Sequence, residues 1–490
     1  MSKTHPANAR PPRDTRWLAL TVLCLGVLMF VLDTTIVNVA LPSIRSDLNF
    51  SETSLAWVVN AYMLSFGGLL LLGGRLGDLY GARRLFLFGI ALFTLASLAC
   101  GLAATQAFLI AARGIQGFGG AIVSAVSLSL IVNLFTKPGE RAKAMGVFGF
   151  VAASGGSIGV LLGGVLTSLL NWHWIFLVNI PVGIGVLVLS LRLLPVARAA
   201  GATRQLDVAG AVTVTAALIL AVYAIVNGNE AGWTSGRTLG LLAVAAGLLA
   251  VFLGIEARVR APLMPLGLFR LRNVVVANLI GVLWAASMFT WFFISALYMQ
   301  LVLGYSPLRV GLAFLPSNLI MAAFSLGLSA TLVLRYGVRA TVATGLLVAS
   351  IGLLLFARAP VDGNFLVDVF PGMVLLGIGG GMAFNPMLLA AMSDVAPSES
   401  GLASGIVNTS FSMGGALGLA VMASLASRRT AGLLAHGATH LTALNDGYRS
   451  AFLVGALCAG LAGVLGAVLL RSNPTAALGL PAEASAAPRS

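Results

Sequence analysis

The chain has 490 residues, of which 59% are hydrophobic and only 9% charged, and its mean hydropathy is +0.99. Soluble domains carry roughly 25% charged residues, so the composition excludes a soluble globular protein and reads as a polytopic membrane protein. The net charge of +14 would suggest nucleic-acid binding in a soluble chain, but in a membrane protein its distribution decides its meaning.

A hydrocarbon core of ~30 Å needs about 20 apolar residues per helix. On that basis an all-α protein with fourteen transmembrane helices is predicted, at 17–41, 54–74, 85–104, 107–133, 144–170, 174–194, 207–227, 237–256, 275–302, 309–333, 340–357, 366–392, 403–426 and 450–470. The first segment follows Arg10, Arg13 and Arg16 as a signal peptide would, but its apolar stretch is too long and lacks a small-residue cleavage site. Within it stands a lone acid, in the run Leu32-Asp33-Thr34-Thr35-Ile36-Val37-Asn38-Val39-Ala40-Leu41-Pro42. An ionised carboxylate at bilayer depth costs several kcal/mol unless it is paired, protonated or wetted, which makes Asp33 a candidate proton carrier. The alternative is a helix-packing acid bonded to Thr34 or Thr35.

The second segment carries Trp57, Asn60, Tyr62 and Met63, and ends in Gly74-Arg75-Leu76-Gly77-Asp78-Leu79-Tyr80-Gly81-Ala82-Arg83-Arg84. The fourth contains Arg113-Gly114-Ile115-Gln116-Gly117, where Arg113 is the only base away from the ends of a predicted span. An unpaired guanidinium there is as unfavourable as an unpaired acid, so its expected partners are Asp33, or Gln116 with backbone carbonyls. Gly155, Gly159 and Gly163 in the fifth segment, and Gly414 and Gly418 in the thirteenth, have the four-residue spacing that lets helices approach closely, in a fixed bundle or at a moving interface. The ninth holds Trp284, Met288, Trp291, Phe292, Tyr298 and Gln300. Aromatic faces attract organic cations and methionine adapts to varied shapes, so with the residues of the second segment these are candidate substrate contacts. Lipid-facing or interfacial aromatics are the alternative for each.

Cys24, Cys100 and Cys458 lie within spans without metal spacing, and His5, His173, His436 and His440 all fall outside bilayer depth. No Gly-x-x-x-x-Gly-Lys-Ser/Thr pattern occurs, so neither a cofactor nor nucleotide-driven transport is expected. An even number of spans puts both termini on one side, where 21 of the 29 Lys and Arg lie, against 7 on the other side and Arg113 within a helix. The positive-inside rule makes that side the cytoplasm. The charge thus reports topology, with attraction to anionic lipid, and nucleic acid is not an expected partner. One cytoplasmic loop breaks the pattern with Asp394 and Glu399 and no base.

Three matches relate the two halves of the chain. Tyr80-Gly81-Ala82-Arg83 with Gly89 matches Tyr336-Gly337-Val338-Arg339 with Gly345; Gly114-Ile115 and Gly117 match Gly377-Ile378 and Gly380; Gly146, Gly155, Gly156 and Gly159 match Gly405, Gly414, Gly415 and Gly418. The near-constant displacement pairs segment 2 with 10, 4 with 12 and 5 with 13, an offset of eight that a six-helix half plus two inserted helices produces. Expected divisions are therefore a 1–16 tail, a 17–200 bundle, two inserted helices in 201–260, a 261–471 bundle and a 472–490 tail whose Ala, Pro and Ser content predicts disorder.

Several stretches carry a resemblance: the Leu32–Pro42 run, the Gly74–Arg84 loop, the Arg113–Gly117 motif, Trp172-His173-Trp174-Ile175-Phe176 with Asn179 and Pro181, Pro262-Leu263-Met264-Pro265-Leu266, and Tyr305-Ser306-Pro307. Together, over residues 17–425, they resemble the fourteen-spanner drug:proton antiporters of the major facilitator superfamily. The resemblance implies two halves that rock around a midplane site, with Arg113 taking part in proton transfer. It implies too that Asp78 braces the halves when the cytoplasmic side is closed. Arg75, Arg83 and Arg84 belong to the same latch, and the acidic loop of Asp394 and Glu399 is its candidate partner. Asn38 and Gln116 join the substrate contacts. Two departures stand out: Gly159-Val160-Leu161-Leu162-Gly163-Gly164 has Val160 where the antiporter motif has proline, and the tenth segment lacks an acid. The counterpart of Arg113 is Leu376, which confines the ionisable machinery to the first half. The expected protein is a monomeric, proton-coupled exporter of lipophilic or cationic small molecules in an inner or plasma membrane. An uptake symporter or uniporter on the same fold is the alternative, and a membrane-embedded enzyme a third.

Overall fold

Apolar runs that have no water for their backbone close as helices, and the computed structural model of the chain follows that rule. It describes residues 13–471 apart from 136, 195–206, 260–261, 265, 393–394 and 396–399, and among these there is no strand. Residues 1–12 of the predicted 1–16 tail, the predicted 472–490 tail, and the acids Asp394 and Glu399 lie outside the described residues, while 13–16 already belong to the first helix.

The first half comprises α1 (Arg13–Leu48), α2 (Glu52–Leu55), α3 (Trp57–Tyr80), α4 (Ala82–Gly101), α5 (Gln106–Leu134), α6 (Pro138–Leu169), α7 (Trp174–Leu177) and α8 (Asn179–Leu193). Then come α9 (Val208–Ala231) and α10 (Gly236–Glu256). The second half comprises α11 (Arg272–Leu297), α12 (Pro307–Ala313), α13 (Leu315–Ala323), α14 (Ser329–Phe356), α15 (Phe370–Met392), α16 (Ser400–Ala435) and α17 (His440–Leu469). Among the described residues, twelve helical stretches are long and apolar enough to cross a membrane, and two shorter apolar ones, Ile158–Leu169 and Pro307–Ala323, accompany them.

Several predicted boundaries move. The first helix runs past residue 41 through Pro42 to Leu48, because helical hydrogen bonding continues where the apolar window ends. The last begins at His440 rather than 450, since Thr439 caps it by accepting the Thr442 amide at 3.4 Å. Segment 10 breaks into α12, α13 and a π turn at Phe324–Leu328 before joining α14.

The repeat acquires a physical cause. Gly81 (φ 92°) and Gly337 (φ 82°) occupy matching positions of the Tyr-Gly-x-Arg motif, and each turns one helix into the next in a conformation that disfavours other residues. Gly337 divides α14 there, separating predicted segments 10 and 11. The arginine that follows also does the same work twice. Arg83 Nη2 donates to the Leu191 carbonyl at 2.7 Å in the last turn of α8, and Arg339 Nε donates to the Ala467 carbonyl in the last turn of α17. Each arginine satisfies an orphan carbonyl and meets the negative end of a helix in its own half.

Packing repeats as well. The neighbours α1–α6, α3–α5, α4–α5 and α4–α8 correspond to α11–α16, α13–α15, α14–α15 and α14–α17. The glycine ladders make two of these pairings close. A Cβ on Gly155 would lie 2.7 Å from Val31 Cγ1, on Gly159 2.8 Å from the Leu32 carbonyl, and on Gly163 2.5 Å from the Ile36 carbonyl. Gly414 and Gly418 stand in the same relation to Val282 and Ala286, whose Cα atoms would be 2.8 and 2.5 Å away. Both ladders therefore lie inside a half. The seam between halves is formed by α3 on α16, α6 on α12 and α13, and α1 on α11. The helices α9 and α10 pack together, and α9 leans on α3 and α16 over one side of that seam.

Candidate functional site

Five elements of the first half converge on Asp33. It lies on α1 and is fully buried, and Arg113 on α5 is only 1% exposed. Arg113 Nη1 donates to Asp33 Oδ2 and, at 2.7 Å, to Gln116 Oε1; its Nε donates to the Val58 carbonyl of α3 at 2.9 Å. Gln116 Nε2 in turn donates to Asp33 Oδ1 and to Ser97 Oγ of α4, both at 2.8 Å. Both carboxylate oxygens thus have donors, which is the condition for keeping an ionised acid and guanidinium in a dry interior.

The surrounding helices set the guanidinium plane. Arg113 Cζ sits 4.4 Å from the Tyr62 ring centroid and 5.5 Å from that of Phe176, within cation–π range. Tyr62 reaches this position because Gly117, one helical turn beyond Arg113, offers no side chain and lets the Tyr62 carbonyl lie against it. Cys100 Sγ completes the edge at 3.6 Å from Gln116 Oε1. Asn179 of α8 faces the same carboxylate outside hydrogen-bond geometry, its buried Nδ2 having no partner.

Ser97, Cys100 and Asn179 carried no assignment in the sequence. The available signals were two small polar residues one turn apart in segment 3, and an asparagine inside the Trp172–Pro181 motif. Both are weak, since serine, cysteine and asparagine within spans are ordinary.

The candidate substrate contacts separate into groups. Tyr62 and Gln116 belong to the buried charge network. Asn38 turns back on its own helix, donating to the Thr34 and Thr35 carbonyls at 3.3 Å. Tyr298 donates to the Pro360 carbonyl at 2.8 Å, and Gln300 crosses the seam to the Val39 carbonyl at 2.9 Å. These three side chains hold backbone in this conformation. Trp284 packs beside Gly380, and Trp291 against Phe292 and Phe314, each with a buried indole nitrogen that has no acceptor. Met63 faces the seam, where a Cβ on Gly415 would approach it to 2.8 Å. Asn60 is fully buried with both amide atoms unpartnered. Trp57 and Met288 are half-buried.

At the other end of α3, Arg83 is held by Leu191 and Arg84 is exposed. The side chains of Arg75 and Asp78 lie outside what the structure describes. Val160 is buried on the seam, where a Cβ on Gly311 would lie 3.0 Å from its carbonyl.

A buried ion pair within one of two similarly packed helical halves is the construction of a membrane transporter. A sequence model described as the Major Facilitator Superfamily matches residues 23–419. The chain belongs to that superfamily. It is 40% identical over 479 residues to the puromycin resistance protein pur8 of Streptomyces alboniger, a match covering 96% of this chain and 94% of the relative. It is 41% identical over 433 residues to the cephamycin export protein CmcT of Amycolatopsis lactamdurans, covering 87% and 88%. The crystal structure of a bacterial homologue of the human lysosomal transporter Spinster, inward-facing and unoccupied, has the same fold: TM-score 0.67 at 16% identity, covering 94% of this chain and 98% of that one.

Proposed function

We propose that the protein exports lipophilic or cationic small molecules, of the antibiotic kind named for its relatives, in exchange for protons by alternating access. The supporting observation is the enclosed Asp33–Arg113–Gln116 set. Its geometry suits a switch. Protonation of Asp33 turns one oxygen into a donor and weakens the ion pair, while Arg113 keeps two neutral acceptors, Gln116 Oε1 and the Val58 carbonyl. The guanidinium can therefore move without being orphaned. Because Asp33 is fully enclosed in this conformation, coupling runs through helix movement, in preference to drug and proton competing at one carboxylate.

In this reading the twelve long stretches and two short ones make fourteen spans, arranged as bundles at 17–200 and 261–471 around an insert at 201–260. The monomer sits in the inner membrane with both termini cytoplasmic. Asn60, Met63, Trp284, Met288, Trp291 and Phe292 border the substrate path. Added substrate should release protons from the detergent-solubilised wild-type protein in weakly buffered solution. Co-directional uptake of substrate and protons in vesicles would refute exchange.

The latch is part of the same proposal, narrowed to exposed Arg84, with Asp78 and Arg75 alongside, because Arg83 is engaged in its own half. Its partner is the loop bearing Asp394 and Glu399. Charge reversal at Glu399 should slow transport several-fold, and simultaneous reversal at Arg84 should restore it. Wild-type rates in Glu399→Arg, or no rescue in the double reversal, would overturn the latch.

A further inference from the structure

Asp207 and Glu256 are buried acids that the coupling site does not use, 4% and 3% exposed. Asp207 caps α9, its Oδ1 accepting the Gly210 amide at 2.7 Å. Glu256 ends α10, its Oε2 accepting the Met264 amide at 3.1 Å from the segment that leads to α11. The two side chains face each other within hydrogen-bonding reach. Their remaining oxygens, Asp207 Oδ2 and Glu256 Oε1, are buried and reached by no donor. Leu72 of α3, Ala211 of α9 and Leu263 form one apolar cluster on this side of the insert. Charged groups on the surrounding elements include Arg258 and Arg270 in the segment after α10, Arg237 of α10, Arg428 and Arg429 of α16, and Glu230 of α9 and Arg75 and Asp78 of α3, the side chains of these last three lying outside what the structure describes.

Two carboxylates confined together in a dry site cannot both stay ionised, and a single proton between them satisfies both unpartnered oxygens. We infer that Asp207 and Glu256 form a second proton-holding site, in which one shared proton clasps the inserted helix pair to the segment entering the second half. With the proton present, the start of α9, the end of α10 and the Met264 backbone are tied into one unit. Its loss sets two like charges against each other and opens the clasp. The insert that leans on the seam thereby becomes sensitive to proton activity independently of Asp33.

Infrared titration of the full-length Asp33→Asn protein in lipid nanodiscs tests the site, since that background removes the coupling acid. At neutral pH the carbonyl band of a protonated carboxyl group should be present, and it should be lost in both Glu256→Gln and Asp207→Asn. Either substitution gives the partner acid a permanent amide donor, and asparagine keeps the helix cap. A band absent from the parent, or surviving either substitution in protein that elutes as a folded species, overturns the sharing. Hydrogen exchange in the 257–271 segment, corrected for its intrinsic pH dependence, tests the clasp without any substitution. It should rise in wild-type protein as the buffer becomes alkaline, and wild-type exchange indifferent to pH overturns the clasp. In folded Glu256→Gln it should stay constant.

Discussion

Asp33→Asn is expected to abolish gradient-driven efflux while leaving the protein in the membrane. Asparagine keeps an acceptor for Gln116 Nε2, but Arg113 becomes an uncompensated cation among buried groups. Breaking a buried pair by removing one partner costs about 3–5 kcal/mol, so the midpoint of thermal unfolding should also fall. Accumulation of a fluorescent lipophilic cation in cells, with and without a protonophore, measures the first effect. Wild-type cells should accumulate more dye when the protonophore is added, whereas Asp33→Asn cells should accumulate it equally in both conditions. Full efflux by Asp33→Asn would refute the central role of this acid.

Arg113 supplies the second large effect, and its repeat counterpart suggests the substitution. Leu376 at the matching position of α15 is fully buried with no charge to satisfy. Arg113→Leu alone should leave Asp33 with Gln116 as its remaining donor and destabilise the protein by about 3–5 kcal/mol. Asp33→Asn/Arg113→Leu should be more stable than either single variant, because it leaves no buried charge unpaired. Transport should be absent in all three. Unfolding midpoints of the four proteins close the cycle, and strictly additive losses would mean that the pair is not coupled. A lysine at position 113 should not substitute, since it lacks the planar fork that reaches Asp33, Gln116 and Val58 together.

Much of the machinery was legible because its signals are one-dimensional. A lone acid and a lone base in apolar runs stand out without knowledge of the fold, and the unfavourable isolated charge in hydrocarbon pointed Arg113 to Asp33, or to Gln116 with backbone carbonyls; the structure joins both to it. The doubled Tyr-Gly-x-Arg motif was visible as a repeat, but its meaning was not. Only the structure shows that Gly81 and Gly337 turn consecutive helices and that Arg83 and Arg339 each reach the closing helix of their own half. In this conformation Arg83 is thus a fastening within its own half.

The aromatic and amide residues were less legible. Asn38, Tyr298 and Gln300 resembled substrate contacts by residue type, yet here they hold neighbouring carbonyls. A helix that is apolar on every side does not announce which face points inward, so residue type alone could not distinguish cavity-lining side chains from structural ones. The adjacency of Asp207 and Glu256 was likewise hidden, since each sits at the polar end of a segment where acids are common.

The sequence by itself determined that this chain lies in a membrane, that matched motifs recur at a near-constant displacement, and that a lone acid and a lone base stand deep in apolar runs of its first half. Those properties follow from bilayer energetics, which act on each segment separately. The tertiary structure alone decided which side chains meet: Ser97, Cys100 and Asn179 around the Asp33–Arg113 pair, glycine ladders inside each half, and an acid pair where the insert joins the second half. Such meetings depend on how each helix is rotated and where its neighbours cross it, and close packing between helices, not hydropathy along them, sets both.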